Sequence, residues 1–156
     1  MKRFIVLIIM FLPLLAIAQQ PDFSKLTKRY ANNDKVTIIS LTQQQLLLFM
    51  GGGDGAEDIK GIDTITIMMT EDKAIGEDMF KAAAKVIKRL KAEELVSTTD
   101  EESNVSVYTT SSENMITSVI VTIVDDGESG LVVINGEFPV EKLNDLVKVD
   151  SSKLNL

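Results

Sequence analysis

The sequence predicts an α+β domain: a mostly antiparallel sheet of about five or six strands with helices packed on one face. Three observations carry that prediction. Met115–Phe138 holds two apolar, β-branched segments split by a polar turn of Asp, Gly, Glu and Ser, the pattern of a hairpin at the centre of a sheet. From about Ile75 to Lys91, apolar residues recur at helical spacing, with Lys81, Lys85, Lys88 and Lys91 on the other side. From Glu93 onward, short β-branched runs alternate with polar turns.

The N-terminus reads differently from the rest. Met1-Lys2-Arg3 is a short basic region, Phe4 to Ala16 is almost wholly apolar, and Ala16-Ile17-Ala18 supplies a small-x-small pattern before Gln19. These are the three parts of a secretory signal peptide, so residues 1–18 are expected to be cleaved off between Ala18 and Gln19. The apolar run is about 15 residues, short of the roughly 20 that span a bilayer. Residues 19–150 are expected to form one domain, with 151–156 as a frayed tail. There is no cysteine, so an exported chain of this kind holds its fold without disulfides. Gln19 also stands where a bacterial lipoprotein carries its lipidated Cys. The expected address is therefore periplasmic or secreted, not a lipoprotein, with no stable membrane anchor after cleavage.

Taken in order, Pro21–Tyr30 reads as a short helix capped by Asp22, with Phe23, Leu26 and Tyr30 on one face. Residues 31–35 form a turn cluster and Val36–Ser40 a first strand. Ser40 and Gln43 have capping-box spacing and open a helix through Met50, stopped by Gly51. Leu46 to Met50 is apolar all round, which predicts a deeply buried helix. Residues 51–58 form a glycine-rich loop. Ile62–Thr70 is a second strand, with Ile65, Ile67 and Met69 on one side and Thr64, Thr66 and Thr70 on the other. Two strands each followed by a helix suggest a crossover connection between them. The long helix follows, with an apolar stripe of Ile75, Met79, Ala82, Ala83, Val86, Ile87 and Leu90. Leu95–Thr99 and Asn104–Thr110 flank a polar turn and read as a hairpin, with Asn104–Thr110 pairing onto the central one. Pro139 opens a last helix whose apolar face is Val140, Leu143, Leu146 and Val147.

Composition removes much chemistry. Sixteen Lys and Arg face twenty-three Asp and Glu, a formal charge of −7; without residues 1–18, fourteen face twenty-three, or −9. Such acidity disfavours nucleic acid and anionic membranes, and suits basic or metal-ion partners. The absence of both His and Cys excludes Ser-His-Asp and Cys-His nucleophilic sites and the common zinc sites. The adjacent acid pairs at Asp125-Asp126, Glu57-Asp58, Glu77-Asp78 and Glu93-Glu94 point apart on a strand or helix, so none is a facing glycosidase dyad. Asp125-Asp126-Gly127 suits a hairpin turn, and Glu77-Asp78 the first turn of a helix. The loop Gly51-Gly52-Gly53-Asp54-Gly55 lacks the Gly-Lys-Ser/Thr of a phosphate loop and follows a helix, unlike a dinucleotide fingerprint. Asp54, Glu57 and Asp58 are oxygen donors that suit a weak Ca²⁺ site, without EF-hand spacing. Met50, Met68, Met69, Met79 and Met115 fall in apolar faces and are expected to fill the core.

These segments together resemble the domain of unknown function 4252 family. The resemblance rests on Phe23–Tyr30, on Val36–Phe49 and on the long helix ending in Lys91-Ala92-Glu93-Glu94-Leu95. It rests also on Asn104-Val105-Ser106-Val107-Tyr108, and on Leu131–Phe138 leading into Leu143. It implies a small exported protein of the kind found mainly in Bacteroidetes, and it brings no catalytic residue or cofactor.

The expected function is that of a non-enzymatic binding or structural module of the cell envelope, with no cofactor and an envelope protein as partner. Thr64, Thr66 and Thr70, with Asn135 and Ser106, are expected to line its exposed sheet face, beside an open edge strand. The rival readings are a carboxylate-based hydrolase and a weak Ca²⁺-dependent module. Val121 and Ile134 are expected core positions, where a charge would unfold the domain.

Overall fold

The computed structural model describes residues 23–49 and 59–142. Its elements are α1 (Phe23–Tyr30), β1 (Val36–Thr42), α2 (Gln43–Phe49), β2 (Ile62–Thr70), α3 (Lys73–Arg89), β3 (Glu93–Thr99), β4 (Ser103–Ser112), β5 (Met115–Asp125) and β6 (Glu128–Pro139). Helical backbone resumes at Val140, one residue after the expected Pro139. The strands form one sheet in the order β1-β2-β6-β5-β4-β3, and every neighbouring pair is antiparallel. The fold is the expected α+β class, with six strands.

The central hairpin is β5–β6. Its two-residue turn is Asp126-Gly127, both at positive φ (45° and 84°), the backbone that matches the twist of a tight hairpin. Glu113-Asn114 repeats that geometry between β4 and β5, at φ 52° and 66°. The β3–β4 hairpin and its continuation onto β5 are also as expected. Where β2 meets β6, the pairing bulges between Ile62 and Thr64. Two glycines make that approach possible: a Cβ on Gly136 would overlap the Gly61 carbonyl, and Gly61 itself sits at φ 90°.

Two connections differ from expectation. No crossover joins the first two strands; β1 and β2 pair directly and antiparallel, from Val36↔Thr70 to Thr42↔Thr64. Antiparallel neighbours need only a reversal of direction between them, so no helix has to carry the chain back along the sheet. The crossover falls instead on α3, which carries the chain from β2 to the far edge at β3. The capping box also moves. Gln45 Oε1 accepts the Thr42 N–H at 2.9 Å, while the Gln45 N–H points back to Thr42 Oγ1. Ser40 stays in β1, because pairing with β2 extends the strand two residues further.

The buried face of α3 is Gly76, Met79, Ala83 and Val86, with Ile75, Ala82, Ile87 and Leu90 partly buried beside them, as the helical spacing predicts. Asp72 caps it by accepting the Ile75 N–H at 3.1 Å, so Glu77 and Asp78 lie a turn further in than expected. Lys91, at φ 53°, ends it: its N–H bonds to Lys88 O and the Ala92 N–H to Ile87 O, the paired closure of a Schellman motif.

α1 and α3 cover one face of the sheet. Phe23, Leu26 and Tyr30 of α1 and Met79, Ala83 and Val86 of α3 meet Met68, Ile120, Leu131 and Val133 from β2, β5 and β6. Each Phe, Leu, Met, Ile or Val side chain among them, fully buried, contributes about 1.5–3 kcal/mol. The α1–α3 contact also has a polar clasp. The Tyr30 hydroxyl donates to Asp78 Oδ2, and Arg29 Nη2 reaches the same oxygen at 2.7 Å. The hydroxyl bond and the guanidinium hold the Asp78 carboxyl below its ordinary value, while burial and Asp78 push the Tyr30 phenol up.

Two outcomes follow from this packing. Ile120→Ala should cost about 2–5 kcal/mol in urea unfolding, more than Val121→Ala on the other face, since Ile120 is fully buried and Val121 is not. Asp78 has a lowered folded pKa, so its stabilising contribution is present above 3.8, the ordinary value, and lost as pH falls through the folded value. The gap in unfolding midpoint between wild type and Asp78→Asn should be constant above that pH and shrink below it.

Candidate functional site

Alternation along β2 is as expected, but the faces are exchanged. Thr70 and Met68 lie beneath α3 and are buried, whereas Ile65 and Ile67 are only partly buried and Met69 is 45 % exposed. The reason is how closely α3 approaches. Gly76 brings its backbone onto the Ser129 side chain, with Thr70 beside it, so small residues are needed beneath that turn. The Thr70 hydroxyl then donates to Lys35 O at 2.8 Å and accepts the Asp72 N–H at 3.1 Å, tying β1, β2 and the start of α3 together.

The face turned away from α1 and α3 is lined by apolar rows. The register aligns Ile39, Ile67, Val132, Val121, Val107 and Val96 across all six strands. The next row contains Leu41, Ile65, Ile134 and Val119. Ile39 is 40 % exposed and Val96 38 %. Only toward the Phe138 end does the face become fully buried, at Ile116, Val119 and Phe138. Val121 and Ile134 pack against that cluster, so the expected core positions lie on this second face.

At the other end of the same face lies a groove of about 700 Å³. Thr37, Met69, Gly130 and Ile123 cross its floor in register, with Ile67 and Val132 beside them. Asp34, Glu71, Asp72, Asp125 and Glu128 rim it, with Lys35 as the one cation among its described lining residues. The Lys35 ammonium is held by Asp72 Oδ2 at 2.7 Å. That bond lowers the Asp72 carboxyl pKa, with help from the Ile75 N–H, and raises that of Lys35. A smaller hollow of about 440 Å³ lies between α3 and strands β4 and β5, lined by Phe80, Ile87, Asn104, Ser106, Tyr108 and Thr122 among others.

The sequence-predicted site residues are scattered by this geometry. Thr70 is buried under α3. Ser106 faces the smaller hollow and bonds to Ser97 at 3.3 Å. Thr64 and Asn135 share a polar row with Thr42, Ser118 and Thr110 on the helix-bearing side. Asn135 donates to Thr64 at 3.4 Å, and its buried Oδ1 has no protein partner. Thr66 lies on that side too, against Ser40. Asp54, Glu57 and Asp58, and the cleavage pair Ala18 and Gln19, lie outside the described residues, as do Asp22, Met50 and the 151–156 tail. Among the described residues no three carboxylates converge on a metal position. Asp125-Asp126-Gly127 forms the expected hairpin turn, with Asp125 paired to Glu128 at its base.

Two features escaped sequence reasoning. α2 is not buried: Leu48 is 81 % and Phe49 79 % exposed. Gly130 stands inside β6 just before the apolar run Leu131–Ile134, and a glycine inside a strand is the signal of a bulge or a close approach.

The family described as "Domain of unknown function (DUF4252)" matches residues 30–146. Neither the curated proteins nor the solved structures contain a match. The match runs from the end of α1 through all six strands and α3, so the groove and the apolar rows lie wholly within it. The chain therefore belongs to the DUF4252 family.

Proposed function

We propose that the protein is an exported, non-enzymatic binding module of the cell envelope, and that it holds its partner on the sheet face opposite α1 and α3. The observation that carries this reading is the run of apolar rows across six strands with Ile39, Met69 and Val96 exposed. A sheet face normally alternates toward polar residues where it meets water, and extended exposed apolar patches mark interaction sites. The signal-like N-terminus supports placement in the periplasm or outside the cell. The acidic, cysteine-free and histidine-free composition supports binding over catalysis. The binding surface is the Ile and Val face, not the threonine face that the sequence suggested.

Position-specific cross-linking tests this reading. A photo-reactive residue at Ile39 or Ile67 should give discrete, saturable products with an envelope component in the producing cell. The same residue at Lys85, on the outer side of α3, should give none. Equal capture from both faces, or none from the open one, would contradict the proposal.

A further inference from the structure

Gly130 is a glycine that its own fold does not require. Gly61 and Gly136 are needed by a backbone contact, Gly76 by Ser129 and Gly127 by its turn. Around Gly130 a Cβ would meet Ile123 Cβ at 3.7 Å and nothing closer, an ordinary contact. It sits in the middle of β6, paired with Met69 on one side and Ile123 on the other, where a β-branched residue would serve the strand better. The missing side chain leaves the groove its depth, and a glycine of this kind marks a place where another chain comes close.

We propose, on the basis of the binding face argued above, that this groove receives a peptide segment of a partner protein carrying large apolar side chains flanked by Lys or Arg. The apolar part follows from the floor, where Met69, Ile67, Val132 and Ile123 surround the gap at Gly130. The cationic part follows from the rim. Asp34, Glu71, Asp125 and Glu128 join Asp72 there, against Lys35 alone among the described lining residues, and Lys35 is already bound to Asp72. All five carboxylates lie at one end of the strands, so the partner's cations belong beside that end and its apolar groups further in. The floor row crosses four strands, three spacings of ~4.8 Å, which matches about four residues of extended chain. An anionic or wholly polar segment meets repulsion at the rim and leaves the floor bare.

The test is a titration of the purified protein with a short peptide holding a Leu-Leu pair between lysine pairs, read by backbone and methyl NMR. Controls replace lysine by glutamate, or leucine by serine. The Leu/Lys peptide should shift Thr37, Met69, Ile123 and Gly130 saturably, and weaken as salt rises. Both controls should bind at least about tenfold more weakly. A Cβ added at Gly130 makes only ordinary contacts, so Gly130→Val should keep the fold and lose about tenfold or more in affinity. Charge reversal at the exposed Glu71 and Glu128, as Glu71→Lys with Glu128→Lys, should do the same without touching the core. Equal binding of the glutamate control, or full affinity in a folded Gly130→Val variant, would overturn the proposal. So would self-association that Gly130→Val abolishes, since the occupant would then be a second copy. If cross-links from Ile39 and Ile67 persist while the peptide fails to bind, this inference falls and the binding face stands. If both fail, both fall.

Discussion

A single sheet that is apolar on both sides sets the terms for the whole molecule. β2, β6 and β5 place Met68, Leu131, Val133 and Ile120 on one side and Ile67, Val132, Ile134 and Val121 on the other. Antiparallel sheets in water usually cover one such side and leave the other polar. Here α1 and α3 cover the first side and leave much of the second partly exposed. The polar residues go where they would not be expected. Thr42, Thr64, Asn135, Ser118 and Thr110 form their row on the helix-bearing side, where Thr110 bonds to Ser118 and Asn135 to Thr64. The Thr110, Ser118 and Thr64 hydroxyl groups thus find partners within that row.

The same constraint accounts for the edges. β1 and β3 close the sheet on either side, and an unpaired edge invites another strand. β3 carries Glu93 and Glu94 and a bulge between Glu94 and Val96, two ordinary ways of discouraging that pairing. β1 runs directly into α2. The β3 edge is therefore blunted against strand addition.

How much of this was legible in the sequence depends on how local each choice is. Strand positions are local: runs such as Ile62–Thr70 and Met115–Asp125 are β-branched and bounded by turn residues, and the structure keeps them. The stripe on α3 is local too. Which face of β2 receives that helix is not local. It depends on Gly76 meeting Ser129, residues more than fifty positions apart, and alternation alone gives no sign of it. The helix cap shows a similar limit. Ser40 with Gln43 and Thr42 with Gln45 both have the right spacing, and only pairing of Ser40 and Leu41 with β2 decides between them. For α2, an apolar run was read as burial, yet Leu48 and Phe49 are exposed. The groove was the least legible feature, because its rim draws on Asp34, Glu71, Asp125 and Glu128, which the sheet assembles from separate turns.

Which side of the sheet is open decides where a partner can dock, and Met68 and Met69 report on the two sides from adjacent positions. Met68 is 1 % exposed beneath α3 and Met69 45 % exposed on the opposite face. Methyl-labelled methionine NMR with a soluble paramagnetic agent reads that difference directly. Strong broadening of the Met69 methyl with Met68 untouched is the result predicted. Broadening of Met68, or equal protection of both, would contradict it and place the binding face elsewhere.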